Sequence, residues 1–299
     1  MLLKCIQCGN GELNAGAQAW ICPACATTFP IVDRVARFVS SEHYAESFGY
    51  QWNTFAQAQL DSANGTKRSR DTFVEKTGIP LASLAGARVL DAGCGMGRFA
   101  EVCIDAGAEV HAIDLSTAVE AAARNLGHHA NAFFYQADIL QLPFEEASFD
   151  VIYSIGVLHH TPSTKRAFLA LTRLLKPGGR IAIWVYSTKL RLLIGSEVMR
   201  VVTSRLPKDL LLRACRVAIP LYHVHRLPVV GLVSSALVPT SLNPDPQWRW
   251  LDTFDWYSPR YQWKHTYTEV EGWFREAGLT DIVRESFPVS VRGSRAARA

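Results

Sequence analysis

The run Val89-Leu90-Asp91-Ala92-Gly93-Cys94-Gly95-Met96-Gly97 places a carboxylate at the end of an apolar segment and three singly spaced glycines directly after it. Glycines in such a turn let backbone approach a ligand where a Cβ would stand in the way. The spacing is not G-x-G-x-x-G, so no pyrophosphate cradle is evident. A second acid, Asp114, stands 23 residues after Asp91, where a carboxylate can accept hydrogen bonds from both hydroxyls of a ribose. Asp138, followed by Ile139, is placed to meet the exocyclic amine of an adenine. Each acid alone reads equally well as a helix cap or a surface turn. At three successive strand ends they point at one ligand.

A second constellation lies at the other end of the chain. Cys5-x2-Cys8 and Cys22-x2-Cys25 are two knuckles separated by 13 residues, a spacing that lets four thiolates surround one tetrahedral Zn2+. Four thiolates leave no open position for water, so the expected ion is structural and holds a segment too short to bury its own core. The other cysteines, Cys94, Cys103 and Cys215, are scattered, unlike a disulfide framework.

The elements that position these groups follow from apolar periodicity. Arg88–Asp91, Glu109–Ile113, Phe133–Ala137, Phe149–Ser154 and Ile181–Val185 read as strands. The helix after the glycines carries Phe99, Val102, Cys103 and Ala106 on one face at i, i+3, i+4, i+7 spacing, and Ala118–Asn125 reads as the next helix. Ser163 caps a helix with the stripe Phe168, Leu171, Leu174 and Leu175, which Pro177-Gly178-Gly179 is expected to stop. A helix from Thr268 bears Val270, Trp273, Phe274 and Ala277, and the segment Asp281–Val291 supplies the last strands. The expected divisions are a zinc ribbon at 1–39, a helical lead-in or cap at 40–84, the α/β domain at 85–188 and 266–299, and a helical insertion or lid at 189–265. In the lead-in, Tyr50 and Trp52 either close over the glycine turn or simply pack the core.

These residues, with Ser154-Ile155-Gly156-Val157-Leu158-His159-His160 and Leu175-Lys176-Pro177-Gly178-Gly179, resemble the class I S-adenosylmethionine-dependent methyltransferases, in the branch containing the quinone C-methyltransferases. The resemblance covers about residues 85–186 and implies a seven-stranded, doubly wound Rossmann-like sheet. It implies that Asp91, Gly93, Gly95 and Gly97 line the methionine moiety, Asp114 the ribose, and Asp138 with Ile139 the adenine. Cys94, Leu115 and Ile155 complete the implied cofactor-binding set. Residues Phe29-Pro30-Ile31-Val32-Asp33 resemble the small zinc-ribbon proteins that accompany some tRNA and rRNA methyltransferases, although Arg34 stands where a glycine is common.

The acceptor is less legible. His159 and His160 sit just past the fourth strand, where either can act as a general base near neutral pH or merely order the loop. Asp255-Trp256-Tyr257-Ser258-Pro259-Arg260-Tyr261 and His265 form a second polar and aromatic cluster, suited to walling a pocket or packing the insertion. The Leu- and Val-rich insertion favours a small-molecule acceptor that is apolar, glycosylated or lipid-like. The competing reading has the ribbon and Lys67, Arg68, Arg70, Arg191, Arg200 and Arg205 dock a tRNA or rRNA. These cations are interleaved with aliphatics at helical spacing, as on solvated helix faces, and no N/D-P-P-Y/F tetrapeptide of the amino-group methyltransferases follows the fourth strand. A non-catalytic partner protein is a third reading, disfavoured by the complete acid and glycine set.

A net charge of +4 over 299 residues falls short of a nucleic-acid footprint. The stretch Val217–Pro239 is interrupted by His223, His225, Arg226, Pro220 and Pro228, which rules out a spanning helix. Peripheral membrane contact by an amphipathic insertion stays open. Met1 runs into Leu2-Leu3-Lys4-Cys5 without a basic n-region and an apolar stretch, so a cytoplasmic location is expected.

Overall fold

The computed structural model describes residues 3–9, 12–39, 44–188 and 194–297. Arg191, one of the basic residues considered for RNA docking, and the expected boundary positions Ser40 and Lys189 lie outside the described residues. The chain forms two compact units, one comprising Met1–Ser187 with Trp263–Ala299, the other Thr188–Gln262.

The first unit opens with four short strands, β1 (Asn14–Ala15), β2 (Ala19–Ile21), β3 (Thr28–Val32) and β4 (Val35–Arg37), followed by helices α1 (Glu46–Thr54), α2 (Asp61–Asn64) and α3 (Arg68–Thr77). Strand and helix then alternate through β5 (Arg88–Ala92), α4 (Arg98–Asp105), β6 (Glu109–Asp114), α5 (Ala118–Leu126), β7 (Ala132–Gln136), β8 (Phe149–Ile155), α6 (Thr164–Thr172) and β9 (Leu175–Trp184). Among the described residues the sheet order is β1-β2-β3-β4-β7-β6-β5-β8-β9-β11-β10, where the last two are defined below. The pairings of β5 with β6 and β8, β6 with β7, and β8 with β9 are all parallel. Such strands are covered on both faces, which is why Val89-Leu90, Val110 and Ile152 form near-continuous apolar runs. The strand order reverses at β5: successive strands go to one side as far as β7, and β8 returns to its other side. Crevices open at the carboxyl ends of strands at such a reversal.

After the second unit, the chain returns through α12 (Tyr267–Glu276), β10 (Leu279–Arg284) and β11 (Ser290–Arg295), the last pairing antiparallel with β9. Thr266 caps α12 by accepting from the Glu269 N–H. Strands β5 to β11 are thus the expected seven-stranded sheet. One local expectation differs. α6 ends at Thr172, and Lys176-Pro177-Gly178-Gly179 lies within β9 instead of stopping the helix. A shift of the β8–β9 register between Phe149 and Val151 absorbs the irregular backbone at this point.

The first four strands do not stand apart as an independent ribbon. β4 pairs parallel with β7, Val35 opposite Phe134 and Arg37 opposite Gln136, so the ribbon extends the sheet. Without it β7 would be an edge with unpaired backbone groups. Leu3, Phe29 and Phe38 share the core with Tyr135 and Phe144, and the rings of Phe29 and Phe38 meet at 4.8 Å.

The second unit is helical, with α7 (Ile194–Thr203), α8 (Lys208–Ala214), α9 (Ala218–His225), α10 (Val230–Leu237) and α11 (Pro246–Tyr257). Its interior is fixed by Arg249, buried and donating to the carbonyls of Asn243, Ile219 and Pro244 at 2.8, 3.1 and 2.9 Å, with its guanidinium 3.7 Å over the Tyr222 ring. Among the described residues no helix is long and apolar enough to cross a membrane.

Candidate active site

β5 carries Asp91 to the edge of the crevice and buries it there at 2% exposure. Its Oδ2 has no hydrogen-bond partner. Burial pushes the carboxyl up to about 8; the Tyr153 hydroxyl beside it works against that shift, and the nearby Asp114 carboxylate adds to it.

The glycine turn above Asp91 has φ values of 94°, 54° and 95° at Gly93, Gly95 and Gly97. A Cβ at Gly93 would lie 2.3 Å from a Val157 methyl, and one at Gly97 2.7 Å from a Leu126 methyl. Both conformation and space therefore exclude other residues at these two positions. The turn is clamped to the end of β6: the Gly93 and Cys94 amides donate to the Ile113 carbonyl at 2.9 and 2.8 Å. The Gly95 amide donates to Asp114 Oδ2 at 3.0 Å, while Asp114 Oδ1 accepts from the Ser116 N–H and hydroxyl at 2.8 and 2.6 Å. Asp114 thus shapes the turn from the end of β6. The buried Cys94 thiol is pushed well up by burial, which keeps it protonated.

Asp138 follows β7, its Oδ1 accepting from the Leu140 N–H at 2.9 Å and from the Tyr44 hydroxyl at 3.5 Å. Ile139 is buried beside it, and Leu115 and Ile155 are half-buried at the ends of β6 and β8. The structure therefore brings Asp91, the glycines, Asp114 and Asp138 to one edge of the sheet.

α1 covers the turn. The Trp52 ring lies 3.4 Å from where a Gly95 Cβ would be, and the Asn53 amide donates to the Thr117 carbonyl at 2.9 Å. Tyr50 faces outward. Gln51, between them, is buried with its Oε1 lacking a partner. Sequence reading passed over Gln51 because the flanking aromatics carried the stronger signal; only the burial of a polar residue marks it.

His159 and His160 form the 3-10 turn Leu158–His160 after β8. His160 packs at 4.9 Å on the Phe48 ring, and His159 stacks on Tyr186 at 3.9 Å. Both ring nitrogens of His159 are buried and without a hydrogen-bond partner. Burial holds its pKa well below the usual histidine range, and His160, His265 and Lys76 add to the shift. The dry surround disfavours the imidazolium at His159 and keeps its ring neutral. Of the second cluster, His265 belongs to the first unit, where Nε2 meets the Thr164 hydroxyl at 2.9 Å, whereas Asp255 to Tyr261 belong to the second. Val157 and Lys76 were also missed by sequence; Lys76 Nζ sits 3.3 Å over the Trp184 ring.

At the far end of the unit, Cys5, Cys8, Cys22 and Cys25 bring four sulfurs within 4.8 Å of one another. The pairs Cys5–Cys25 and Cys8–Cys22 lie 3.6 and 3.7 Å apart.

Residues 90–183 match the model of a methyltransferase domain family. The chain is 38% identical over 116 residues to malonyl-[acyl-carrier protein] O-methyltransferase of Enterobacter lignolyticus (strain SCF1), covering 39% of this chain and 44% of that protein. It is 36% identical over 109 residues to demethylmenaquinone methyltransferase of Clavibacter sepedonicus, covering 36% of this chain and 44% of that protein. The matches thus span less than half the length of these curated relatives. Among solved structures, a chain from the complex between a Haloferax volcanii methyltransferase activator and a methyltransferase aligns at a TM-score of 0.50 and 14% identity, covering 84% of this chain and 98% of that one, a likeness of fold alone.

Asp114→Ala should weaken binding of S-adenosylhomocysteine by about 3 kcal/mol in calorimetry, the scale of a lost charge-assisted pair. Ser116→Ala, which leaves the carboxylate in place, should cost under about 1 kcal/mol. Equal affinities in all three proteins would remove Asp114 from the ligand site.

Proposed function

We propose that this chain, whose residues 90–183 form a methyltransferase domain, transfers a methyl group from S-adenosylmethionine to a small-molecule acceptor of apolar or lipid-like character. The observation that carries this reading is the Asp91 carboxylate, buried beneath the glycine turn with an unpartnered oxygen. A ligand that satisfies it must bring positive charge and hydrogen-bond donors, and an amino-acid ammonium next to a sulfonium brings both. S-adenosylmethionine supplies, when bound, an electrophilic methyl group.

The chain's own residues hold and orient. Asp91 accepts the ammonium, the glycines let backbone close on the ligand, Asp114 accepts from the ribose hydroxyls, and Asp138 accepts from the adenine amine against Ile139. Cys94, Leu115 and Ile155 line the same ligand. Neutral His159 is a weak base, so its role is to orient the acceptor by hydrogen bonding, an arrangement in which proximity supplies most of the rate. Relatives named for malonyl-[acyl-carrier protein] and demethylmenaquinone support acyl or quinone-like acceptors.

We further assign Cys5, Cys8, Cys22 and Cys25 to a structural Zn2+. Four sulfurs at about 2.3 Å from a tetrahedral ion stand roughly 3.8 Å apart, and the Cys5–Cys25 and Cys8–Cys22 pairs, at 3.6 and 3.7 Å, fit that set. A four-cysteine metal set in place of disulfides suits a reducing cytoplasm.

Incubation with radiolabelled S-adenosylmethionine and cell extract, fractionated into RNA, protein and organic-soluble material, should place label in the organic-soluble fraction and none with Asp91→Ala. Label in RNA would overturn the acceptor class. Metal analysis should find close to one zinc per chain, and Cys22→Ser should lower the thermal midpoint by several degrees; a zinc-free protein of unchanged midpoint would contradict the assignment.

A further inference from the structure

Two helices of the second unit turn apolar side chains to solvent and polar ones inward. In α7, Val198, Val201 and Val202 are 67%, 60% and 63% exposed, while Thr203 is half-buried and donates to the Tyr257 carbonyl at 2.8 Å. Arg200, also half-buried, donates to Gln262. α10 repeats the pattern. Leu232 and Leu237, with Val229 just before the helix, are 78%, 65% and 79% exposed, whereas the half-buried Ser234 meets His225 Nδ1 at 2.8 Å. The two helices touch, and each presents its own apolar face to solvent. A helix that rests in water shows the opposite polarity, and a contiguous apolar face of this kind marks an interaction surface.

Charge selects the occupant. From Glu197 to Val238 the exposed cations Arg205, Arg213, Arg216 and Arg226 outnumber the acids Glu197 and Asp209. Arg205 follows α7, and Arg226 precedes Leu227-Pro228-Val229 at the start of α10. Cations beside outward-facing aliphatics suit an anionic lipid surface, where the side chains enter the headgroup boundary and the cations meet phosphates. A second copy of the chain would bring the same cations to the same face, like charge against like. Neither helix is long enough to cross a bilayer, so the geometry is that of an element lying in the interface plane.

We infer that the exposed faces of α7 and α10 dock the protein on an anionic bilayer surface. The inference stands apart from methyl transfer, and its test reads no activity. The full chain is sedimented with vesicles of phosphatidylcholine containing about 30% phosphatidylglycerol, an anionic content that gives a strong negative surface potential. Wild-type protein should pellet with these vesicles and remain in solution with phosphatidylcholine alone. Val201→Glu with Leu232→Glu, both at exposed positions, should reduce the pelleted fraction about tenfold while the helical circular-dichroism signal is retained. Arg205→Glu with Arg226→Glu, which leaves the apolar face intact, should also lower binding to the anionic vesicles. Protein that stays in solution with anionic vesicles, or pellets equally in both double variants, would overturn the inference. So would a dimer in light scattering that Val201→Glu with Leu232→Glu dissociates in the absence of any vesicle binding, which would assign the face to a second copy.

Discussion

Burying the Asp91 carboxylate beneath the glycine turn costs free energy that no cation among the described residues offsets. The surrounding structure is arranged to keep that cost in place. β5 lies at the reversal of strand order, the place where open α/β sheets bind ligands, and the Ser154 hydroxyl holds the Ala92 carbonyl at 2.7 Å just beyond the acid. Asp114 accepts from the Gly95 amide, and its carboxylate close by raises the Asp91 carboxyl further. α1 then shields the turn with Trp52 and Gln51. A site that holds acids dry and undersatisfied before its ligand arrives is preorganised for a cationic ligand with several donors.

The same drying holds around His159. His159 is enclosed by Tyr186 and Trp184, with Lys76 above the Trp184 indole, and stays neutral because this surround disfavours its charged form. A neutral imidazole with both nitrogens unpartnered can donate at one and accept at the other. In the proposed function that suits orientation of a polar group better than removal of a proton.

The central strands and the residues at their ends were legible in sequence because local rules set them. Continuous apolar runs mark strands buried on both faces, and glycines at 93, 95 and 97 mark a turn that a Cβ would obstruct. What stayed hidden depends on long-range pairing or on burial. The parallel pairing of β4 with β7 joins residues nearly one hundred positions apart, and no local pattern announces that the ribbon continues the sheet. Lys176-Pro177-Gly178-Gly179 reads as a helix stop, but the register shift between β8 and β9 accommodates it inside a strand. The Leu- and Val-rich character of the insertion is plain in sequence; which way the aliphatics of α7 and α10 face is a property of packing alone.

The central claim is that Asp91 awaits a positive charge. With its carboxyl near 8 in the free protein, the group is mostly protonated at about pH 7, and a cationic ligand favours the ionised form and so expels the proton. The direct measurement is calorimetric titration with S-adenosylmethionine at about pH 7 in buffers of different ionisation heat, which counts protons exchanged on binding. The account predicts release of close to one proton per site, affinity that rises with pH until about 8, and loss of the release in Asp91→Asn. Binding without proton release, or no binding at all, would contradict it.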